Sequence, residues 1–275
     1  MSKLADSVFF PDRFTPQVIA QQVSVEQVWQ DNQALFFSSL SHIAYFDDHK
    51  IVQFSHQLKA EKCFCYNHNG AQAFLSIWND KAVLAFRGTQ PMEKGANKLP
   101  KLSFWKNIRI KFFHKFSFEP HLLAFLSNDI FADLNFIATK FDNSNETQVH
   151  SGFLHELNKI WPQIEADINK IKNIPIWVTG HSLGGAMSTL AAMRFPFEAA
   201  VTFGEPRVGS KIEKAFKAKH HLRYKNGKDP VTTVPPEFVY DYKHHGVEIK
   251  IKVKDGEEDI RFDHSIVFYC ENLLK

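Results

Sequence analysis

The chain has 275 residues, a formal net charge of +3, 44% hydrophobic and 23% charged residues. This is ordinary globular usage and excludes disordered, collagen-like and coiled-coil proteins. No stretch approaches the roughly 18 uncharged apolar residues of a membrane-spanning helix, and the N-terminal sequence MSKLADSVFFPDRF lacks the apolar run of a standard signal peptide. We therefore expect a cytoplasmic or peripheral membrane protein, with leaderless secretion left open.

The positive charge is concentrated in one segment. Seven cations and no acidic residue lie within residues 94–118, so the rest of the chain is mildly acidic. A general nucleic-acid-binding function is therefore not expected. The oligomeric state is left open.

The three cysteines, Cys63, Cys65 and Cys270, are too few for a disulfide framework. We predict reduced and mostly buried thiols, because free cysteine is usually buried. A lone Cys-x-Cys is too little for a zinc site. No metal site is therefore predicted, and a reducing compartment is the default.

Hydrophobic periodicity in the first half of the chain predicts helices and a hairpin. Residues 16–45 are predicted to form two helices, and the strand-like runs at 71–77 and 81–86 indicate a hairpin. Residues 90–130 are irregular, basic and aromatic. Helical spacing returns over 152–171, with Pro162 as a candidate kink.

The second half alternates strands with helices. Strands are predicted at 174–179, 199–203 and 221–224, with helices at 187–194, 212–219 and 265–274. Two further strands, near 238–242 and 247–253, are predicted to form an antiparallel pair. This alternation predicts an α/β protein with a central, mostly parallel sheet flanked by helices.

The motif Gly180-x-Ser182-x-Gly184 follows a buried strand and precedes a helix, which is the pattern of a nucleophile elbow. Glycine at both flanks removes collisions in the tight turn and lets the serine adopt a strained backbone conformation. The alternative interpretation is an ordinary glycine-rich turn in which the serine caps the helix. The strand before the motif and the helix after it favour the elbow.

A nucleophilic serine needs a base, and the base needs an orienting acid. In this architecture the acid and then the histidine follow the serine along the chain. Asp229 lies at a strand end, although an Asp before Pro also forms turns. The candidate histidines are His244, His245 and His264. His264 is favoured because it lies in a loop before the final helix, although it could simply begin that helix beside an Asp263 cap.

From about residue 35 onward, several motifs in order resemble the class 3 lipases, the fungal-lipase-like branch of the α/β-hydrolases. The motifs are AFRGT at 85–89, DLNF at 133–136, VHSGF at 149–153, GHSLGGA at 180–186, TFGEPRVG at 202–209, NGKDPV at 226–231 and DHS at 263–265. The resemblance implies one α/β-hydrolase domain over residues 1–275, with a lid-like insertion at about 90–132.

The resemblance also implies the roles of five residues. Ser182 is expected as nucleophile, Asp229 as orienting acid and His264 as base, with Thr89 and Leu183 as oxyanion donors. The N–H of Leu183 would lie at a helix N-terminus, where it has no partner within the helix, and Thr89 follows a strand expected beside the nucleophile strand.

The implied function is hydrolysis of lipid carboxyl esters through an acyl-enzyme, as a triacylglycerol lipase or a phospholipase. No metal or organic cofactor is required. Two alternatives stay open. One is a lipid acyltransferase, since an alcohol can resolve an acyl-enzyme if water is excluded. The other is a catalytically weak scaffold that keeps a hydrolase fold and docks on membranes.

The insertion at 90–132 departs from the family pattern, in which a short lid helix stands at this place. Placed on a helix, its aromatic and basic residues favour an enlarged lid that contacts anionic membranes. The alternative is a surface insertion that packs its aromatic residues on the core. The candidate contact residues are Trp105, Lys106, Ile108, Arg109, Lys111, Phe112, Lys115 and Phe116.

Overall fold

A computed structural model describes residues 32–89, 137–142, 144–253 and 263–274. The chain divides into two compact units, Met1–Gly88 with Asn135–Lys275, and Thr89–Leu134. The second unit spans the insertion predicted at 90–132, and the single-domain interpretation of the whole chain stays a prediction. All helices and strands of the described residues lie in the first unit.

The described part of the first unit alternates helices and strands. The α-helices are α1 (Gln33–Ile43), α2 (Asp48–Gln57), α3 (Ser151–Lys170), α4 (Leu183–Arg194) and α5 (Ile266–Leu273). The strands are β1 (Lys62–His68), β2 (Ala71–Ile77), β3 (Ala82–Phe86), β4 (Ala138–Lys140), β5 (Gln148–His150), β6 (Ile176–His181), β7 (Ala199–Phe203), β8 (Gly209–Ser210), β9 (His220–Asn226) and β10 (Val247–Ile251).

Seven strands form the central sheet in the order β1-β2-β3-β6-β7-β9-β10. Strand β2 pairs antiparallel with β1 on one side and with β3 on the other, and the β2–β3 pair is the predicted hairpin. The remaining neighbours in the sheet pair parallel. A smaller antiparallel sheet joins β4, β5 and β8. The predicted α/β architecture with a mostly parallel central sheet is confirmed.

Helices cover both faces of the central sheet. Apolar side chains of α1, α2 and α5 pack in one buried cluster with Val83 and Ala85 of β3. Successive strand residues point to opposite faces of a sheet, so Leu84 lies on the face opposite Val83 and Ala85. Leu84 is also fully buried, which shows that this second face is covered. The helices α3 and α4 also pack on the sheet. Full burial of one large apolar side chain contributes about 1.5–3 kcal/mol to stability.

The two ends of the described chain are tied together by the cap of α1. The side chain of Asn32 accepts the Leu35 N–H at 3.0 Å and so caps α1. Its amide nitrogen donates to the Leu273 carbonyl at 2.7 Å. This contact fixes the start of α1 against the end of α5.

Two predictions about the second half of the chain are wrong. Residues 238–242 form turns and not a strand, because Tyr240 and Asp241 have φ of 53° and 54°, which extended backbone cannot adopt. The strand β10 instead pairs parallel with β9. The helix predicted at 212–219 is a single 3₁₀ turn over Ile212–Lys214.

The structure contains two elements that were not predicted, the helix α2 and the strand β1. The helix predicted at 152–171 is present as α3, and it continues as one helix through Pro162. The segment before residue 32 in the predicted 16–45 region lies outside the described residues. Among the residues that are described, no helix is long and apolar enough to cross a membrane.

Candidate active site

Ser182 sits at a strained turn between β6 and α4. It has φ of 59° and ψ of −126°, a conformation that costs a non-glycine residue about 1–3 kcal/mol. A Cβ added to Gly180 would lie 2.3 Å from the Gly184 carbonyl oxygen, and one added to Gly184 would lie 2.3 Å from the Phe86 carbonyl oxygen. Both flanking glycines are therefore sterically required, as the motif predicts.

The geometry also decides against a simple capping serine. The side chain of Ser182 makes no capping hydrogen bond to α4, although the residue occupies the N-cap position. Its backbone N–H instead donates to the Phe203 carbonyl of β7 at 3.0 Å. The elbow is thus held by the neighbouring strand, which leaves the hydroxyl for chemistry.

Asp229 follows β9 and is fully buried. Its carboxylate accepts the Val231 N–H at 2.9 Å and the Tyr269 hydroxyl at 2.6 Å. Its two oxygens lie 3.0 and 2.9 Å from Nδ1 of His264. A buried carboxylate is costly unless it is hydrogen-bonded, and three donors satisfy this one.

His264 lies in the loop before α5, and its side chain is turned toward the buried acid. A ring nitrogen that faces a carboxylate carries the proton, so Nε2 is the proton-accepting nitrogen. Gly204 makes room for this pair, because a Cβ there would lie 2.7 Å from Oδ2 of Asp229 and 3.0 Å from Nδ1 of His264. Gly204 lies in the TFGEPRVG motif, but no role was predicted for it from the sequence.

A second histidine fixes the backbone of the base. Nε2 of His181 lies 2.7 Å from the His264 carbonyl oxygen, and its Nδ1 lies 2.8 Å from the Tyr45 hydroxyl. A carbonyl only accepts, so Nε2 carries the proton and Tyr45 donates to Nδ1. Burial, helped by the nearby His264, lowers the pKa of His181 well below its ordinary value, which keeps the ring neutral.

This contact brings the elbow and the base loop together. His181 precedes Ser182 in the chain, and its ring centroid lies 4.5 Å from that of His264. The predicted acid and base therefore contact each other, and the predicted nucleophile follows His181, which contacts the backbone of the base. The supporting residues Tyr45, His181 and Tyr269 were not identified from the sequence, although His181 stands inside the GHSLGGA motif.

The two predicted oxyanion donors, Leu183 and Thr89, lie in different units of the chain. Leu183 is the first residue of α4, where its N–H has no partner within the helix. The strand β3 pairs with β6 in parallel register, with Phe86 opposite Gly180, so the predicted neighbour relation of the two strands is confirmed. Thr89 begins the second unit, and its role stays a prediction.

The other two candidate histidines have different partners. Nε2 of His244 lies 2.7 Å from the Thr232 carbonyl oxygen, and Nδ1 of His245 lies 3.1 Å from Nδ1 of His221. His221 in turn pairs with the buried Glu205 at 3.0 Å. Burial would raise the pKa of Glu205, but the charge and hydrogen bond of His221 lower it to about 2. Of the three candidate histidines, His264 is the one whose ring contacts Asp229, and its role as base stays a prediction.

The candidate residues of the insertion lie outside the described residues. They are Trp105, Lys106, Ile108, Arg109, Lys111, Phe112, Lys115 and Phe116. Their membrane contact stays a prediction.

The central sheet is mostly parallel, and Ser182 lies at a tight turn between a strand and a helix, near a buried Asp–His pair. These features are typical of the α/β-hydrolase fold. The family model described as Lipase (class 3) matches residues 126–239, which include Ser182 and Asp229. The resemblance of the sequence motifs to the class 3 lipases is thereby confirmed.

Several named lipases are similar to this chain in sequence. A secreted mono- and diacylglycerol lipase of Fusarium solani is 37% identical over 112 residues, which are 36% of this chain and 33% of that protein. Lipase A of Sodiomyces alcalophilus is 33% identical over 144 residues, 42% and 34% of the two chains. The chain therefore spans about a third of the length of the curated relatives it matches.

The structural similarity is broader. The solved structure of Rhizomucor miehei triacylglyceride lipase matches with a TM-score of 0.58 and 17% identity, and the match covers 88% of this chain and 97% of that one. This similarity shows a shared α/β-hydrolase fold.

Tyr269→Phe is expected to lower kcat by roughly tenfold and leave KM nearly unchanged, because a hydrogen bond to a charged group contributes about 1.5–3 kcal/mol and this one orients the acid. Steady-state kinetics on a soluble ester measure both constants. Tyr66→Phe is the matched control, since its hydroxyl donates to the Asp167 carboxylate at 3.0 Å on α3. Equal losses in the two variants would show that Tyr269 only stabilises the fold.

Proposed function

We propose that the protein is a serine hydrolase of lipid carboxyl esters that works through an acyl-enzyme. The observation that carries this proposal is the buried Asp229–His264 pair, held next to the strained Ser182 elbow by His181. The match of residues 126–239 to the Lipase (class 3) family model supports the same chemistry.

In the acylation step, the Ser182 hydroxyl attacks the acyl carbonyl of the ester. Nε2 of His264 takes the hydroxyl proton as the new C–O bond forms. The carboxylate of Asp229, at 2.9–3.0 Å from Nδ1, stabilises the imidazolium that results and keeps the ring in the productive tautomer. The buried position of the acid excludes water from this contact.

The carbonyl oxygen gains negative charge in the tetrahedral intermediate. We assign its stabilisation to the Leu183 N–H at the start of α4, where the helix dipole also favours negative charge. Thr89 is proposed as the second donor, through its backbone N–H and hydroxyl. Removal of one oxyanion donor typically costs about 10²–10³ in kcat.

The second half of the reaction reuses the same residues. The imidazolium of His264 protonates the leaving alcohol, and the acyl group stays on Ser182. The neutral imidazole then activates a water molecule that attacks the acyl carbonyl, and Ser182 is released with its proton restored. Each proton transfer in this scheme is carried by His264, and the scheme uses no metal or organic cofactor.

Glycerolipid esters are the proposed substrate class. The Fusarium solani relative is named a mono- and diacylglycerol lipase, and the same triad chemistry serves any acyl ester of glycerol. The direct test is labelling of the protein with a fluorophosphonate probe, followed by peptide mapping. We expect a single label on Ser182, and hydrolysis of at least one member of a panel of glycerides and phospholipids.

The two alternative functions give different outcomes in these experiments. A scaffold without turnover would show neither a label nor fatty acid release. An acyltransferase would label, but in the presence of a long-chain alcohol it would form more ester than free fatty acid. Free fatty acid as the main product supports the proposal.

Replacement of Lys106, Arg109, Lys111 and Lys115 by Gln is expected to weaken binding to anionic vesicles. A cation near an anionic bilayer contributes about 1 kcal/mol, screened over a Debye length of about 10 Å. The wild-type protein should therefore bind such vesicles in a sedimentation assay and dissociate as salt rises. Cleavage of a short soluble ester should hardly change.

A control variant with the same loss of charge separates a local effect from net charge. Lys59, Lys62, Lys172 and Lys250 are exposed on the first unit, and their replacement by Gln should leave vesicle binding nearly intact. Equal binding by the wild type and both variants at low salt would contradict a membrane role for the insertion.

A further inference from the structure

The acid and the base of the proposed triad lie in two separate loops. Asp229 ends the turn at 226–229 that follows β9, and His264 lies in the loop before α5. The two residues are 35 positions apart in sequence, and their side chains meet at 2.9–3.0 Å. Their contact therefore depends on whatever holds the two loops at a fixed separation.

Asp263 joins the two loops through its side chain. Its buried carboxylate accepts the backbone N–H of Lys228 at 2.7 Å. Lys228 directly precedes Asp229 in the chain, and Asp263 directly precedes His264. The contact between Asp263 and Lys228 thus lies beside the contact between the acid and the base, one residue earlier in each loop.

The backbone of Asp263 makes a second connection to the same turn. Its carbonyl oxygen accepts the side-chain amide of Asn226 at 3.1 Å. Asn226 is fully buried, and its own side-chain oxygen accepts the amide of Asn272 in α5 at 2.9 Å. The turn itself is closed by the Asp229 N–H, which donates to the Asn226 carbonyl oxygen at 3.0 Å. The turn is therefore held both by the base loop and by the helix that follows it.

Gly227 allows the turn to approach the carboxylate this closely. It has φ of 44°, and a Cβ added there would lie 2.6 Å from Oδ2 and 2.9 Å from Cγ of Asp263. A side chain at this position would push the carboxylate away from the Lys228 N–H. The glycine of the NGKDPV motif thus stands where the two loops meet.

The sequence also allowed Asp263 to act as a cap of the final helix. The N-cap of α5 is Ser265, two residues further along the chain. Oδ2 of Asp263 is instead directed at the turn that carries the acid. Burial of a carboxylate is costly unless donors satisfy it, and a hydrogen bond to a charged acceptor is shorter and stronger than one between neutral groups. The link between the loops is therefore a strong one.

We propose that Asp263 is a positioning residue, whose carboxylate fastens the turn of Asp229 to the loop of His264 and so keeps the acid in contact with Nδ1 of the base. Its effect on catalysis rests on the proposed function. Loss of the carboxylate would let the two loops separate, and misplacement of a catalytic group by about 1 Å can cost about 10²-fold in rate. Asp263 takes no part in proton transfer.

The first test is steady-state kinetics on a short soluble ester. Asp263→Ala is expected to lower kcat about 10- to 100-fold and to leave KM within about twofold. Asp263→Asn should keep kcat within about threefold, because its amide oxygen can still accept the Lys228 N–H. Asp47→Ala is the matched control, since Asp47 also accepts a backbone N–H, that of Lys50 at 2.9 Å, but at the start of α2. Equal losses of kcat in Asp263→Ala and Asp47→Ala, or in the Ala and Asn variants of Asp263, would overturn the proposal.

Proton NMR tests the positioning without a substrate. The proton between Nδ1 of His264 and the Asp229 carboxylate should resonate far downfield, and its loss in His264→Ala assigns it. This resonance should broaden or disappear in Asp263→Ala and remain in Asp263→Asn. The ring of His221 is an internal reference, because it pairs with the buried Glu205 carboxylate at 3.0 Å, and its own downfield proton should persist in every variant. An unchanged His264 resonance in Asp263→Ala would overturn the proposal.

The two measurements separate this inference from the proposed function. If the protein hydrolysed no ester, the His264 resonance would still respond to Asp263→Ala, and the positioning role would stand. If esters are hydrolysed but neither kcat nor the resonance responds, the positioning role fails and the proposed function stands. Should Asp263→Ala not fold, Gly227→Ala replaces it, because its Cβ displaces the carboxylate without removing it. We expect Gly227→Ala to lower kcat and to broaden the same resonance, and wild-type values of both would overturn the proposal.

Discussion

Replacement of Ser182 by Ala is expected to lower kcat for ester hydrolysis by roughly 10³-fold or more, because the variant lacks the atom that forms the acyl-enzyme. The oxyanion donors and the base remain and can support only residual catalysis. Fluorophosphonate labelling should disappear in the same variant. Both quantities can be measured on protein whose unfolding transition matches that of the wild type.

The fold should tolerate this change. Alanine keeps the Cβ of serine, so the strain of the positive φ at this position stays about the same, and the Ser182 side chain makes no capping hydrogen bond that would be lost. Ser188→Ala is the matched control, because this buried serine of α4 bonds the Gly184 carbonyl oxygen at 2.8 Å. Near wild-type hydrolysis by Ser182→Ala would remove the serine from the mechanism.

The elbow could be predicted from the sequence because its three motif residues are close together in the chain, even though Gly184 is required by contact with Phe86 of β3. Gly180, Ser182 and Gly184 are within one turn, and each glycine avoids a collision with backbone that lies next to it in the fold. The acid and the base are different, since Asp229 and His264 are 35 residues apart in sequence. Position in the chain favoured His264 among three candidate histidines, and the family motifs implied the same residue.

The supporting residues could not be found in this way. Tyr45 and His181 are 136 residues apart, and Tyr269 reaches Asp229 only because α5 packs beside β9. No local pattern distinguishes a tyrosine that orients a catalytic group from one that fills the core. Such roles become visible only when partner atoms and distances are known.

Contacts between residues distant in sequence also explain why the strand pairing near residues 238–253 was predicted wrongly. Apolar alternation indicates that residues 247–253 are extended, but it does not identify the neighbouring strand. The pairing of β10 with β9 depends on a chain reversal through Tyr240 and Asp241, both with positive φ. The strand β1 was missed because its half-exposed face, with Phe64 outward and two cysteines inward, lacks a clear apolar period.

The second large effect is expected for the base. His264→Ala should lower kcat by roughly 10³-fold or more, whereas His245→Ala should retain activity within about twofold, because His245 contacts His221 and the Phe216 ring and not the acid of the triad. The buried cluster around His221 should make His245→Ala slightly less stable. Kinetics and thermal unfolding of both variants separate the two roles.

The coupling between nucleophile and base gives a sharper test than either single variant. Groups that act as one unit are strongly non-additive, so Ser182→Ala with His264→Ala should be no slower than Ser182→Ala alone. The rate of fluorophosphonate labelling should fall in His264→Ala, because His264 takes the proton of Ser182 during attack on phosphorus as well. If His245→Ala loses activity and labelling while His264→Ala keeps them, the contact between Asp229 and His264 is structural and the base has been misassigned.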